Sequence, residues 1–433
     1  MKPLAVFELA LLHIYRMRFL YDLFLFLYPL GIRVAALKNE KARQWIKGRN
    51  QWEETLRLEV AKGNGPIIWF HCASLGEFEQ GRPVIEAIKQ RHPNYRVLLT
   101  FFSPSGYEAR KNYSGADIVQ YLPLDGKNNA RSFLNSTQPV MAVFIKYETW
   151  YYYLNALHQR KIPTLLISAI FFKEQIYFRP WGGFMKKMLN CFTHIFAQDE
   201  TSYALLRSSN VTSPFSLGGD TRYDRVVQIT HEHVHIRTLE LFCEQSDVIV
   251  AGSTWKEDEQ YLHSLSQRHP SLKLIIAPHE IGQHHIQRLK EQFEQSITFS
   301  ELEQSHDPSS YKTVIIDCIG LLSKLYRFST LAYVGGGFNS SGIHNILEAS
   351  AYGRVVLFGP QFSISNEAKA LIALELAYSY AQQDELSTRV GQLLNDRTAL
   401  NEKNSAAHQF VMENKGATNR ILSYMEKFYF YTS

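Results

Sequence analysis

From residue 65 onward, short apolar runs alternate with helix-like amphipathic segments, and this alternation constrains the fold more than any other feature. The runs are apolar at consecutive positions, as expected of parallel strands that helices cover on both faces. The pattern therefore predicts an α/β fold with a doubly wound parallel sheet. In the first half the runs are residues 66–72, 95–102, 140–148, 162–169 and 193–199.

The pattern restarts after a polar, glycine-containing passage at residues 218–227. A chain of 433 residues is also too long for a single hydrophobic core. We therefore predict two Rossmann-like domains that face a cleft, at residues 37–220 and 221–410, followed by a helix at 411–433. The apolar runs of the second half are residues 247–254, 272–280, 313–318, 330–337 and 354–360.

The amino-terminal segment, residues 1–36, is apolar but is interrupted by charges, and its longest uncharged run is residues 23–32. A spanning helix needs about 20 apolar residues, so we expect a helix that lies in the membrane interface. Residues 1–62 hold 11 Lys and Arg against 6 Asp and Glu, which accounts for the whole net charge of +5. This excess suits a cytoplasmic face attracted to anionic lipid. The alternative is a buried helical hairpin.

Cysteine and histidine give no metal-site pattern. Cysteine occurs only at Cys72, Cys191, Cys243 and Cys318, without a CxxC pair, which suits reduced thiols in the cytosol. The histidines group at two places but lack a supporting ligand pattern. No Asp-x-Asp motif occurs in the chain, and we predict that no metal is used. The grouped histidines are His231, His233 and His235, and the pair His284 and His285.

Glu77 stands at the junction between the first apolar run and the helix that follows it. Ser74 and Glu77 have the S-x-x-E spacing of a capping box, in which both side chains would be structural. The same position at a strand end also suits a general base that accepts a proton from a substrate hydroxyl. Glu148 ends another apolar run, and a second strand-end acid favours a functional site over capping alone.

A glycine-rich passage at residues 332–360 has the order strand, loop, helix and strand. It lacks the GxGxxG spacing and the GxxxxGK[ST] spacing, so it indicates nucleotide binding without a dinucleotide fingerprint or a P-loop. Glu348, which follows Asn345 by three positions, is suited to accept hydrogen bonds from a ribose diol. The alternative for Glu348 is a solvated position on a helix.

Taken in order, these motifs resemble the 3-deoxy-D-manno-octulosonic acid (Kdo) transferases of lipopolysaccharide synthesis. The resemblance runs from the apolar amino terminus through "HCASLGE", "FFSPSGYE", "YLPLD", "YETW", "LLISAIF", "GGDTRYD", "AGSTW", "GGGFNSSGIHNILE" and "LFGP". It implies a glycosyltransferase of the B fold that moves Kdo from CMP-Kdo to a lipid A precursor, on the cytoplasmic face of the inner membrane. It implies no nucleic-acid partner and no cofactor.

The resemblance also assigns roles to particular residues. The proton acceptor falls on Glu77, and the two groups that steady the transition state fall on Glu148 and Arg222. A sugar-nucleotide epimerase of the same fold and a membrane-bound scaffold protein without activity stay open as alternatives. The contacts to CMP fall on Pro278, His279, Ile319, Gly320, Leu321, Asn345, Ile346, Leu347 and Glu348.

The chain departs from the family pattern at four places. Lys146 stands where the family often has the first acid of Glu-Thr-Glu-Leu-Trp-Pro-Asn, and Arg222 replaces a lysine. Pro-Arg-His-Pro becomes residues 278–281, Pro-His-Glu-Ile, and Gly-Gly-His-Asn-Pro-Leu-Glu becomes residues 342–348, which keep Asn345 and Glu348.

Overall fold

The computed structural model describes residues 3–232 and 235–430. It divides into two compact units, of which the first combines Met1–Arg225 with Gly416–Ser433 and the second is Val226–Lys415. The division thus falls after Arg225, where the sequence predicts a boundary after residue 220. Arg222 consequently belongs to the first unit, and the carboxy-terminal segment packs with that unit as well.

The first unit is built on a seven-stranded parallel sheet in the order β3-β2-β1-β4-β5-β6-β7. The register aligns Ile68 with Val97 on one side and with Met141 on the other. The strands are β1 (Ile67–Cys72), β2 (Arg96–Phe101), β3 (Ile118–Tyr121), β4 (Met141–Ile145), β5 (Thr164–Ala169), β6 (His194–Ala197) and β7 (Phe215–Leu217).

Both faces of this sheet are buried, as the sequence predicts. Trp69 belongs to the apolar cluster on one face, whereas Ile68 and Phe70 belong to the cluster on the other. The helices that precede and cover the sheet are α1 (Pro3–Ala35), α2 (Glu40–Lys47), α3 (Trp52–Ala61), α4 (Leu75–Arg91), α5 (Pro104–Arg110), α6 (Lys127–Thr137), α7 (Tyr151–Gln159), α8 (Gly183–Leu189), α9 (Glu200–Ser208) and α10 (Thr221–Thr230), with a 3₁₀ turn at Ile176–Phe178.

Helix α1 is attached to the first unit along one side. The Tyr21 hydroxyl donates a 2.6 Å hydrogen bond to Asp125, and the Tyr152 hydroxyl donates one of 2.6 Å to Asp22. Its other side leaves large apolar side chains in solvent, among them Phe19 at 67% and Phe26 at 68% exposure. None of the helices that the structure describes combines the length and apolar character that crossing a bilayer requires.

The second unit has a seven-stranded parallel sheet in the order β10-β11-β9-β8-β12-β13-β14. Val250 packs on one face of this sheet and Ile249 on the other. The strands are β8 (Val248–Thr254), β9 (Lys273–Pro278), β10 (Ser296–Thr298), β11 (Thr313–Ile315), β12 (Leu331–Val334), β13 (Val356–Phe358) and β14 (Ala377–Ser379).

Helices precede, connect and follow these strands. They are α11 (Arg237–Cys243), α12 (Lys256–Arg268), α13 (Gln283–Gln292), α14 (Phe299–Leu302), α15 (Leu322–Leu325), α16 (Leu347–Ala351), α17 (Asn366–Ala373), α18 (Gln383–Asn395) and α19 (Arg397–Asn414), with 3₁₀ turns at Pro308–Ser310 and Tyr326–Phe328. Two parallel-sheet α/β units are therefore present, as the sequence predicts.

The chain returns to the first unit at Gly416 and forms α20 (Ala417–Met425) and a π-helical turn (Glu426–Phe430). Asp224 anchors this return, because its carboxylate accepts hydrogen bonds from the backbone N–H of Gly416 at 2.6 Å and of Thr418 at 2.8 Å. Ile421 and Leu422 then complete the apolar cluster that includes Phe70 of β1.

Candidate active site

Glu77 lies in the first turn of α4, directly after β1, and its side chain is only 5% exposed. The hydroxyl of Ser74 accepts a 3.4 Å hydrogen bond from the backbone N–H of Glu77. In return, Oε2 of Glu77 accepts a 2.5 Å hydrogen bond from the backbone N–H of Ala73. Ser74 therefore caps α4 as the S-x-x-E spacing predicts, whereas the Glu77 carboxylate binds the N–H of Ala73, one residue before the cap.

The same carboxyl group is strongly perturbed. Burial, followed by the nearby charge of Glu148, raises the pKa of Glu77 to about 8. The hydrogen bond from Ala73 and the positive charge of Lys146 act against this rise. A carboxyl group whose pKa lies near neutrality is suited to exchange protons, so capping and base chemistry coexist at Glu77.

Glu148 lies in the turn after β4 and is fixed by a neighbouring indole. Trp150 Nε1 donates a 2.8 Å hydrogen bond to Glu148 Oε2. The same N–H is 3.0 Å from Nε2 of His71, and that nitrogen is 3.6 Å from Glu148 Oε2. The structure therefore brings the two acids predicted from the sequence, Glu77 and Glu148, into one electrostatic environment.

His71 belongs to this site, although no sequence motif predicted its role. It is fully buried on β1, where its Nδ1 lies 3.0 Å from the hydroxyl of Thr100. That hydroxyl also accepts a 2.8 Å bond from the indole N–H of Trp69. A polar chain therefore runs from the sheet interior to Glu148. The sequence did contain one sign of this role, a histidine within an otherwise apolar strand. Because a buried polar group requires hydrogen-bond partners, such a histidine predicts polar neighbours.

Arg222 is the second residue of α10 and is bound to a neighbouring acid. Its Nε lies 2.9 Å and its Nη2 2.7 Å from Asp220 Oδ2, and its backbone N–H donates to Asp220 Oδ1 at 2.9 Å. Asp220 also accepts a 3.0 Å bond from Gln198. The guanidinium charge predicted to steady the transition state is therefore partly neutralised in this structure.

The start of α10 packs directly on the helix that carries Glu77. The hydroxyl of Thr221 donates a 2.5 Å hydrogen bond to the carbonyl of Gln80, which lies in α4. Ser168, at the end of β5, is 3.0 Å from the same hydroxyl. These contacts fix the loop of Arg222 against α4, so Glu77, Glu148 and Arg222 all lie at the carboxyl-terminal ends of strands in the first unit.

In the second unit, the predicted nucleotide contacts at residues 278–279 and 319–321 follow the ends of β9 and β11. Pro278 ends β9, and the next residue, His279, donates its backbone N–H to Thr254 at 2.9 Å. Residues 319–321 follow β11 and precede α15, and the side chain of Ile319 is 87% exposed. Gly320 has a φ of +90°, a backbone conformation that favours glycine. Apart from its chain neighbours, no described residue has an atom within 4 Å of the position that a Cβ would take there.

Residues 345–348 form the turn into α16. Asn345 donates through Nδ2 to Glu348 Oε1 at 3.2 Å and accepts the backbone N–H of Leu347 through Oδ1 at 3.2 Å. Ile346 and Leu347 are fully buried, so their side chains belong to the core. If these two residues contact a nucleotide, they do so through backbone groups.

The glycine-rich loop is held by Asp258, a residue that no sequence motif predicted to be part of the site. Its carboxylate accepts hydrogen bonds from the Tyr333 hydroxyl at 2.6 Å and from the backbone N–H groups of Gly336 at 3.0 Å and Trp255 at 2.9 Å. Burial raises the pKa of Asp258 to about 6. A Cβ on Gly337 would lie 2.6 Å from Gly359, so the loop requires glycine there.

Three aromatic rings stack beside this loop. The Trp255 and His279 rings are 4.4 Å apart at an interplanar angle of 22°, and the His279 and His344 rings are 4.8 Å apart. Trp255 Nε1 donates to His344 Nε2 at 3.3 Å. Burial, with the neighbouring His279, lowers the pKa of His344, so this ring favours the neutral form.

The histidine groups noted in the sequence form other contacts. His285 lies 2.8 Å from buried Glu259, which also binds Arg288, and His235 lies 3.4 Å from Glu240. His233 lies outside the described residues. Within the described part of the chain, no three His, Cys, Asp or Glu side chains come together as metal ligands would.

Comparison with known proteins gives a consistent picture. Residues 50–225 match the family model of 3-deoxy-D-manno-octulosonic-acid transferase (kdotransferase). The chain is 26% identical over 412 residues to the 3-deoxy-D-manno-octulosonic acid transferase of Haemophilus influenzae, covering 92% of this chain and 94% of that protein. The Aquifex aeolicus protein of the same name is 26% identical over 351 residues, covering 78% and 88%. The predicted resemblance to this family is confirmed.

Solved structures agree on the fold. A putative UDP-N-acetylglucosamine 2-epimerase from Listeria monocytogenes superposes with a TM-score of 0.58 at 13% identity, covering 86% of this chain and 98% of that one. A glycosyltransferase from Rickettsia africae gives a TM-score of 0.53 at 12% identity, covering 86% and 100%. At this identity the likeness shows the fold alone, which is of the glycosyltransferase B type.

Proposed function

Because this chain is related to the Kdo transferases over most of its length, we propose that it is an inverting glycosyltransferase that moves Kdo from CMP-Kdo to a lipid A precursor. The observation that carries the proposal is Glu77, a buried strand-end acid whose pKa is raised to about 8 within the segment that matches the family. Such a group is suited to remove a proton from a sugar hydroxyl near neutral pH.

The proposed reaction is a single displacement. Ionised Glu77 accepts the proton of an acceptor hydroxyl, and the hydroxyl oxygen attacks the anomeric carbon of Kdo. The bond from that carbon to the phosphate oxygen breaks, so that CMP leaves with the electron pair and the anomeric centre inverts. General-base catalysis contributes about 10² to 10⁴ in rate, so positioning and charge stabilisation must supply the rest.

Glu148 and Arg222 support this step in the proposal. Glu148 holds a negative charge close to Glu77, which keeps Glu77 basic and offsets positive charge that develops on the sugar ring. The Arg222 guanidinium, which is paired with Asp220, supplies positive charge that stabilises an anionic oxygen.

The second unit binds the donor in this proposal. The nucleotide is surrounded by Pro278, His279 and residues 319–321 and 345–348, and the Glu348 carboxylate accepts hydrogen bonds from the ribose hydroxyls. Ile346 and Leu347 contribute backbone groups, since their side chains are buried. The chain lacks an Asp-x-Asp motif, and we propose a reaction without a metal.

The acceptor is a lipid, and we propose that α1 brings the enzyme to the cytoplasmic face of the inner membrane. The exposed apolar side chains of α1, such as Phe19 and Phe26, are suited to enter the interface between headgroups and acyl chains. The basic residues that follow in α2, including Arg43 and Lys47, favour anionic lipid.

Incubation of the purified protein with labelled CMP-Kdo and lipid A precursor tests the proposal. Label in the lipid product, with release of CMP, supports transfer. Epimerised nucleotide sugar without a lipid product would instead indicate an epimerase of the same fold. Lipid binding without turnover would indicate a scaffold protein.

A further inference from the structure

Lys146 occupies a constrained position next to both acids of the candidate site. It follows β4 directly, and its backbone N–H donates to the carbonyl of Ile167 at 2.9 Å. The backbone N–H of Glu148 donates back to Ile145 at 3.4 Å, which closes a tight turn around Lys146. Lys146 has a φ of +71°, a left-handed conformation that is uncommon for a residue with a Cβ and that clusters at functional sites.

The ammonium group of Lys146 acts on the site electrostatically. Its charge is among those that lower the pKa of Glu77, against the effect of burial. Its Nζ lies 5.3 Å from the centre of the Tyr147 ring, which is a weak contact for a cation. Among the described residues, Lys146 makes no ion pair. Its charge is therefore still available to a ligand.

The second cation of the site differs in this respect. Arg222 is held by Asp220 through both its side chain and its backbone. A ligand anion must share Arg222 with the carboxylate of Asp220, whereas Lys146 has no carboxylate partner among the described residues. An anionic substrate that approaches Glu77 and Glu148 is repelled by their negative charge, so a nearby cation is needed to offset this repulsion.

We propose that Lys146 binds an anionic oxygen of a substrate at the candidate site. This inference rests on the proposed function, in which the anion is either the carboxylate of the Kdo sugar or a phosphate of the lipid acceptor. Both ligands share the chemistry of an oxyanion that accepts charge-assisted hydrogen bonds from an ammonium group. Lys146 is suited to this role because it precedes Glu148 by two positions and its charge acts on Glu77.

The test measures kcat and KM for CMP-Kdo and for lipid A precursor in Lys146→Gln and Lys146→Arg. The matched control is Lys161→Gln, because Lys161 is also a lysine at positive φ, 57°, but is exposed at the end of α7, before β5. We expect Lys146→Gln to raise one KM about tenfold or more, Lys146→Arg to raise it much less, and Lys161→Gln to leave it unchanged.

Acceptors with and without phosphate identify the source of the anion. If the rise concerns the acceptor and disappears with dephosphorylated lipid A precursor, the ligand is the lipid phosphate. If KM for CMP-Kdo rises with either acceptor, the ligand is the sugar carboxylate. Both KM values unchanged in a folded Lys146→Gln variant would overturn the inference.

Failure of the proposed function is recognisable separately. If the unaltered protein does not transfer Kdo, calorimetric titrations of CMP-Kdo and of lipid A precursor with the same variants replace kinetics. Weaker binding to Lys146→Gln than to Lys161→Gln would still support an anion site. Equal binding to both variants would overturn it.

Discussion

The carboxylate of Glu77 reaches back to the backbone N–H of Ala73 at 2.5 Å, while the N–H of Glu77 donates to Ser74. The carboxyl group that holds the backbone just before α4 is therefore also the group with the raised pKa, so a structural role and base chemistry at Glu77 do not exclude each other. Mutations at Glu77 consequently need measurements of activity and stability on the same sample.

Replacement of Glu77 with Gln is expected to remove the base and to preserve most of the cap. Transfer from CMP-Kdo should fall by about 10² or more, because the amide cannot accept the proton. At pH 5 the substitution should lower the free energy of unfolding by about 1 kcal/mol or less, since Gln retains an acceptor oxygen for the N–H of Ala73. Initial rates and calorimetric CMP binding check this expectation. A variant that is less stable but fully active would show that Glu77 serves only as a cap.

The same substitution is expected to change how stability depends on pH. The pKa of Glu77 is about 8 in the folded chain, above its ordinary value near 4.5, so the folded state binds the proton more tightly. Its contribution to stability is complete below pH 4.5 and is lost as pH rises through 8. The Gln variant lacks this loss and should gain in stability relative to the unaltered protein between pH 5 and pH 9. Denaturant unfolding at both pH values measures the difference; parallel pH profiles would contradict a buried, perturbed Glu77.

Replacement of His71 with Asn is expected to loosen Glu148. Asn is too short to keep the contact between His71 Nε2 and the Trp150 indole, so the indole loses one of its two acceptors. We expect kcat to fall about tenfold while CMP affinity stays unchanged. The control is Tyr203→Phe, which removes one hydroxyl from a partly buried side chain of α9 that packs on Phe215. An unchanged kcat in folded His71→Asn would remove His71 from the site.

Replacement of Glu348 with Gln is expected to weaken CMP binding about tenfold, because a charged acceptor becomes a neutral one. The Gln carbonyl can still accept from Asn345 Nδ2, so the turn into α16 should persist. Glu375→Gln, which removes an exposed charge paired with Lys403, is the matched control. Calorimetry measures the CMP affinity of both variants. Equal affinities would show that Glu348 does not contribute to nucleotide binding.

Membrane attachment is expected to depend on the exposed side of α1. Phe19→Ser combined with Phe26→Ser should release much of the protein from vesicles that contain anionic lipid, because apolar burial drives interfacial binding. Deletion of residues 1–36 is less specific than the double substitution, because it also removes the hydrogen bond that the Tyr21 hydroxyl donates to Asp125. Leu374→Ser, at an exposed apolar residue of the second unit, is the control in vesicle flotation. Full retention of the double variant would exclude this surface of α1.

The central strands were predictable from the sequence, whereas the edge strands were not. The apolar runs correspond to β1, β2, β4, β5 and β6 in the first unit and to β8, β9, β11, β12 and β13 in the second. The structure adds β3, β7, β10 and β14, which are the edges of the two sheets. An edge strand pairs on one side only and is short, so its sequence carries little apolar signal.

The site shows the same division between local and distant information. Glu77 and Glu148 follow apolar runs, so their positions at strand ends were readable. Arg222 was predicted as a charge, but its pairing with Asp220 depends on the conformation of the intervening turn. The contacts of His71 with Thr100 and Trp150 join residues far apart in the chain, and no local pattern contains them.

The return of the chain at Gly416 has a consequence for the order of folding. Asp224 and the cluster around Phe70 obtain their last partners from Gly416, Thr418 and Ile421. During synthesis, residues 226–415 must emerge from the ribosome before those partners exist. Until then the acid of α10 and one face of the first sheet stay open to water and to chaperones. The unit that carries Glu77 begins first and is completed last.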